Sequence, residues 1–252
     1  RPVAARPHSS STSAETLLIA GAAGALGNEL VRRLAGRHRF AHTVVLAREP
    51  VQDGWPGVES LQVPSDFDHP WPRARADVAL ICFDPPRLYH DRERALWTPT
   101  PEQLPALANW LKAMGVSTLV VVQPHDQNRL PDALKRGLAN LDEQAIAALG
   151  FDRLLLVRTA RKPGPVAHAH AAQRLAHWMI SIARYMVPSS EQPVSPAVVA
   201  EFVDAALRLA PPGTHVAAPE CVWRAAQGGQ LEQVVRDWLS PPPAEAGVLG
   251  AG

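Results

Sequence analysis

The residues Gly21-Ala22-Ala23-Gly24-Ala25-Leu26-Gly27 stand between an apolar run, Thr16–Ala20, and an amphipathic stretch, Leu26–Leu34. Glycines at this spacing suit a strand-to-helix turn that grips a pyrophosphate. Gly21 permits the tight turn, Gly24 lets a phosphate approach backbone N–H groups, and Gly27 lets helix and strand pack closely. The positive end of the helix would then face the pyrophosphate. The candidate contacts are Gly21, Ala23, Gly24, Ala25, Leu26 and Gly27. The pattern is GxxGxxG, not GxGxxG. Further on, Val44-Val45-Leu46 ends in Ala47-Arg48. An acid there would bind ribose hydroxyls, whereas Arg48 can hold a 2′-phosphate through a bidentate, charge-assisted pair. Glu49 pulls the other way, while Arg32 and Arg33 add positive field. The expectation is NADP(H) in preference to NAD(H).

Proton chemistry is harder to find. His125, with Asp126 and Lys135 near it in sequence, is a weak candidate general acid near neutral pH. The stretch Arg87–Arg94 is dense in charge and reads as a solvated loop or helix edge, or else as a substrate or partner surface. Arg158 and Arg161 follow the sixth apolar run, either guarding a substrate cleft or as ordinary strand-end charges. His168, His170 and His177 have no acid or cysteine within 167–186 to complete a zinc site, so no metal is expected.

These groups need a frame. Apolar runs at Thr16–Ala20, Thr43–Leu46, Ser60–Val63, Val78–Phe83, Thr118–Val122 and Leu154–Val157 alternate with helical patterns at Leu26–Leu34, Glu102–Met114 and Leu134–Ala148. Short apolar strands between amphipathic helices predict an α/β fold of Rossmann type, doubly wound around a mostly parallel sheet. The alternation stops after Arg158. A helix over about 167–186, one opening at Ser195-Pro196, a strand at His215–Ala217 and a helix at Leu231–Leu239 predict a small C-terminal helical cap. The expected organisation is a tail at 1–14, one domain at 15–240 with the cap from about 159, and a tail at 241–252. The first segment is short, proline-broken and starts without Met, so it reads as a processed end or added remnant, not a transit peptide.

The chain has 252 residues, 25 basic and 24 acidic, a net charge of +1, which argues against a basic nucleic-acid binder. Only two cysteines are present, Cys82 and Cys221, in apolar surroundings, so a disulfide framework is not expected and a cytoplasmic location is. No apolar run reaches membrane-spanning length.

The ordered set of GAAGALG at 21–27, Arg48, Ser65-Asp66-Phe67, Gly115–Val122, Leu149-Gly150-Phe151 and Pro193-Val194-Ser195-Pro196 resembles the atypical branch of the short-chain dehydrogenase/reductase superfamily. The nearest likeness is to its NmrA-like and Tat-interacting-protein-like NAD(P)-binding members. The resemblance implies that Asp66 and Phe67 face the adenine. It also implies that Cys82, Phe83 and Asp84 lie along the adenosine and ribose. Reductases of the family use a Tyr proton donor, a Lys four residues later and a strand-end hydroxyl. Matching Glu143 to the family's helix glutamate puts Lys135 in the Tyr slot, Ala139 in the Lys slot and Gln123 in the hydroxyl slot. Neither Tyr89 nor Tyr185 has a Lys four residues on. Two functions follow: a dinucleotide-binding regulatory or scaffold protein with a small-molecule or protein partner, or an NADPH-dependent reductase of a small carbonyl or quinone with unconventional donors.

Overall fold

The computed structural model describes residues 15–35, 40–51, 54–87, 90–125, 141–160 and 194–240; at His125 it describes the backbone only. Strands β1 (Glu15–Ala20), β2 (Phe40–Ala47), β3 (Val58–Gln62), β4 (Val78–Cys82), β5 (Thr118–His125), β6 (Arg153–Ala160) and β7 (Gly213–Ala217) form one sheet in the order β3-β2-β1-β4-β5-β6-β7. Every neighbouring pair is parallel. Parallel strands need crossovers, and these cover both faces. Leu17 and Ile19 of β1 face α1 (Gly24–Leu34) and a later helix, numbered α5 below, while Leu18 and Ala20 face the opposite layer. That layer is α3 (Leu104–Ala113) and α4 (Leu141–Ala148), carrying Leu107, Leu111 and Ile146. Between β4 and α3 runs a short helix, α2 (Asp91–Ala95).

Within the stretch from about 159, residues 161–193 lie outside the described residues, and with them the helix expected around 167–186 and its three histidines. The described remainder packs on the main frame. α5 (Pro196–Leu209) lays Val199, Phe202, Val203 and Ala206 into the core beside Leu30, Val31 and Leu34 of α1. β7 extends the sheet at β6, and α6 (Pro219–Ala225) and α7 (Leu231–Leu239) complete that face. The physical reason is the apolar stripe on α5, which needs the sheet to bury it. Among the described residues no helix is long and apolar enough to cross a membrane.

Candidate functional site

The strand order reverses between β1 and β4, and the β1–α1 turn opens at that switch point, where open α/β sheets form their ligand crevice. Gly21 and Gly24 take φ of +88° and +71°, backbone that a side chain would strain. A Cβ on Gly21 would strike the Cys82 carbonyl oxygen, and one on Gly27 would come within 2.6 Å of the Ala22 carbonyl carbon. The turn is therefore shut tightly against β4 and its own helix.

The first N–H groups of a helix have no intrahelical acceptor. In α1 two of them are already satisfied by carboxylates. Gly24 N–H donates to Glu93 Oε2 at 3.1 Å, and Leu26 N–H donates to Asp84 Oδ2 at 2.8 Å. A Cβ on Gly24 would meet the Asp84 carboxylate and come within 2.7 Å of the Pro85 carbonyl oxygen. The space expected to admit a pyrophosphate holds the chain's own side chain. Glu93 also accepts from Asn28 Nδ2 at 2.9 Å, from Arg87 N–H at 2.7 Å and from Arg87 Nε at 2.7 Å, and it is ion-paired with the Arg87 guanidinium. Burial pushes the Glu93 carboxyl up, but the hydrogen bonds from Arg87 and from Gly24 N–H, with the Arg87 charge, outweigh it and hold the group at about 2. The Arg87–Arg94 stretch thus departs from a purely solvated loop: Glu93 is fully buried. Leu88 and Tyr89 lie outside the described residues.

Beyond α2 the chain crosses the ends of β1 and β2. Leu96 forms an antiparallel bridge with Ala47, Trp97 N–H donates to the Leu46 carbonyl at 3.0 Å, and Gly21 N–H donates to the Trp97 carbonyl at 3.2 Å. Arg48 N–H donates to the Ala95 carbonyl at 2.7 Å, while the Arg48 side chain is exposed at the rim. Arg33 turns away toward Asp204 of α5. Phe67 is stacked on Trp71 with ring centroids 4.2 Å apart and 9° between planes, and the buried Trp97 meets Trp71 edge-on at 5.1 Å. One ring face of Phe67 is thus taken by an indole. Asp66 is exposed, and a hydrogen bond with His69 lowers its carboxyl. Cys82 is buried with a thiol pushed up to about 12 by that burial, which makes it a packing group. Phe83 is partly buried against the apolar cluster on the α3 face.

At the other end of the cleft, Gln123 Nε2 donates to Glu143 Oε1 at 2.5 Å, and Arg158 Nη2 donates to Glu143 Oε2 at 2.6 Å. Arg158 and Glu143 are both buried, so Arg158 lies inside the fold and not at the mouth of a cleft. The positions of Lys135 and Ala139, and the side chain of His125, lie outside the described residues. Among the described residues no group of three or more His, Cys, Asp or Glu side chains could hold a metal ion.

Asp84 was implied only along the adenosine and ribose, not on the α1 amides; Glu93, Arg87, Asn28 and Trp97 had no signal as site residues. Asp84 and Glu93 meet their α1 partners across 58 to 69 residues of chain, a separation that local pattern does not carry.

Sheet order and glycine turn define a doubly wound α/β protein of Rossmann type. No protein-family model and no curated protein matches the chain. Solved structures do. One is a nucleoside-diphosphate-sugar epimerase from Staphylococcus aureus, at 16% identity and TM-score 0.46 over 80% of this chain and 70% of that one. The Bordetella bronchiseptica enzyme WbmG in complex with NAD is 15% identical, with TM-score 0.45 over 93% and 81%. A Rossmann-fold NAD(P)-binding family protein from Shigella flexneri is 16% identical, with TM-score 0.35 over 67% and 86%. At these identities the likeness is one of fold alone.

Proposed function

We propose that the chain is a dinucleotide-binding regulatory or scaffold protein on a reductase-type frame, working in the cytoplasm and taking NADP(H) in preference to NAD(H). The observation that carries this reading is the pair of α1 amides, each of which holds a carboxylate oxygen. A turn that binds anions there has the chemistry a pyrophosphate needs. Regulation is favoured over turnover because Gln123, in the slot where family reductases carry a hydroxyl, has its side-chain amide engaged by Glu143, which is itself ion-paired with Arg158. The exposed Arg48 is the residue proposed to meet a 2′-phosphate, with Asp66 and Phe67 on the adenosine side.

The test is a titration with NADPH and NADH of the wild type and Arg48→Ala, alongside NADPH consumption with a panel of aldehydes, ketones and quinones. NADPH should bind about tenfold or more tighter than NADH, and Arg48→Ala should erase the difference. Aldehydes and ketones should turn over at background, because general acid–base help worth about 10² to 10⁴ in rate is missing. Equal affinities for the two cofactors, or robust ketone reduction, would overturn the reading.

A further inference from the structure

We propose that residues 84–87 and 90–97 form an internal strap that occupies the dinucleotide cleft, so that a dinucleotide enters only when the strap is displaced. This rests on the dinucleotide-binding reading and adds its control. The strap fills two positions and supports the occupant of a third. The Asp84 and Glu93 carboxylates sit on the amides of Leu26 and Gly24, as the oxygens of a pyrophosphate would. The backbone at Ala95–Trp97 bridges the ends of β1 and β2, where a ribose would lie. The Trp97 indole supports Trp71, which stacks on Phe67 as a base would.

Its attachments are several and separable. Glu93 is held by Arg87 and Asn28, and Arg92 Nη2 donates to Asn28 Oδ1 at 3.1 Å. The Arg92 guanidinium also lies 4.4 Å from the centre of the Trp55 ring. A diphosphate cannot share the turn with these two carboxylates, because anions brought to hydrogen-bond range of one another repel. Entry is a replacement of anion by anion. A binding-competent state populated in a small fraction of molecules weakens apparent affinity by that fraction.

The experiment compares the wild type with Asp84→Ala/Glu93→Gln, using NADPH as the probe. Amide hydrogen exchange at Gly24 and Leu26 is followed in the same samples by NMR. The expected result is weak NADPH binding by the wild type and binding at least tenfold tighter by the double variant. The Gly24 and Leu26 amides should be protected in the wild type and released in the variant. Equal tight binding by both proteins would overturn the strap while leaving the dinucleotide reading intact. Unprotected Gly24 and Leu26 amides in the wild type would overturn it as well. Released amides in a variant that still binds no NADPH would overturn both the dinucleotide reading and the competition that rests on it. If the double variant fails to fold, Arg87→Ala removes a half-exposed partner of Glu93 and is judged by the same two readouts.

Discussion

Glu93 and Glu143 are two buried carboxylates at the carboxyl edge of one sheet, and they are held in opposite ways. Glu143 is held largely by side chains, the guanidinium of Arg158 and the amide of Gln123. Glu93 is held partly by backbone, the N–H of Gly24 at the head of α1, and its cation, Arg87, is half exposed. A side-chain cation sealed in the core is out of reach of an incoming ligand. A helix-terminal N–H donates to any suitable oxygen, so the second carboxylate stands where a ligand can replace it. The half of the sheet around β5 and β6 is therefore locked, and the half around β1 and β2 is latched.

Breaking the lock should have the largest effect. Glu143→Ala leaves Arg158 buried without this counter-charge and is expected to cost about 3 to 5 kcal/mol in chemical denaturation, with no gain in NADPH affinity. A loss below about 1 kcal/mol would mean that Arg158 finds other compensation and that the two carboxylates do not differ as stated.

Loosening the latch should cost less and should depend on pH. The folded carboxyl of Glu93 lies near 2, below its ordinary 4.5, so its contribution is present above about pH 4.5 and fades as pH falls toward 2. Glu93→Gln should cost about 2 kcal/mol at neutral pH, from hydrogen bonds to a charged group. The gap between variant and wild type in urea midpoints should close across that acid window. A gap that does not change with pH would detach Glu93 from the acid response.

The smallest effect is expected from Arg92→Ala, which removes the contact with Trp55 and the bond to Asn28. A stability loss of about 1 kcal/mol or less is expected, with a modest rise in NADPH affinity. A loss as large as that of Glu143→Ala would make the strap part of the core.

The frame of the protein was legible because its signals are local. Val78–Cys82 and Leu154–Val157 are continuous apolar runs, and the glycines at 21, 24 and 27 stand where the first strand meets the first helix. Pro196 after Ser195 marks the start of α5. The helix α6 escaped notice, since seven residues hold too little periodicity to stand out. The strap was hidden for a different reason. In a run such as Arg87–Arg94, one buried glutamate looks like its solvated neighbours, and only the folded chain brings it to Gly24. The buried state of Arg158 was likewise invisible, because a strand-end arginine reads the same whether its partner is water or Glu143.

The aromatic group beneath the strap has a consequence in light. Trp97 is sealed from solvent and lies edge-on to Trp71, which also meets Trp110 at 4.9 Å. An indole in such surroundings emits toward the blue, and one released into water emits toward the red. Trp97 belongs to the segment that must leave, so displacement of the strap would change the colour of the protein's own fluorescence, and opening of the cleft can be followed without any label.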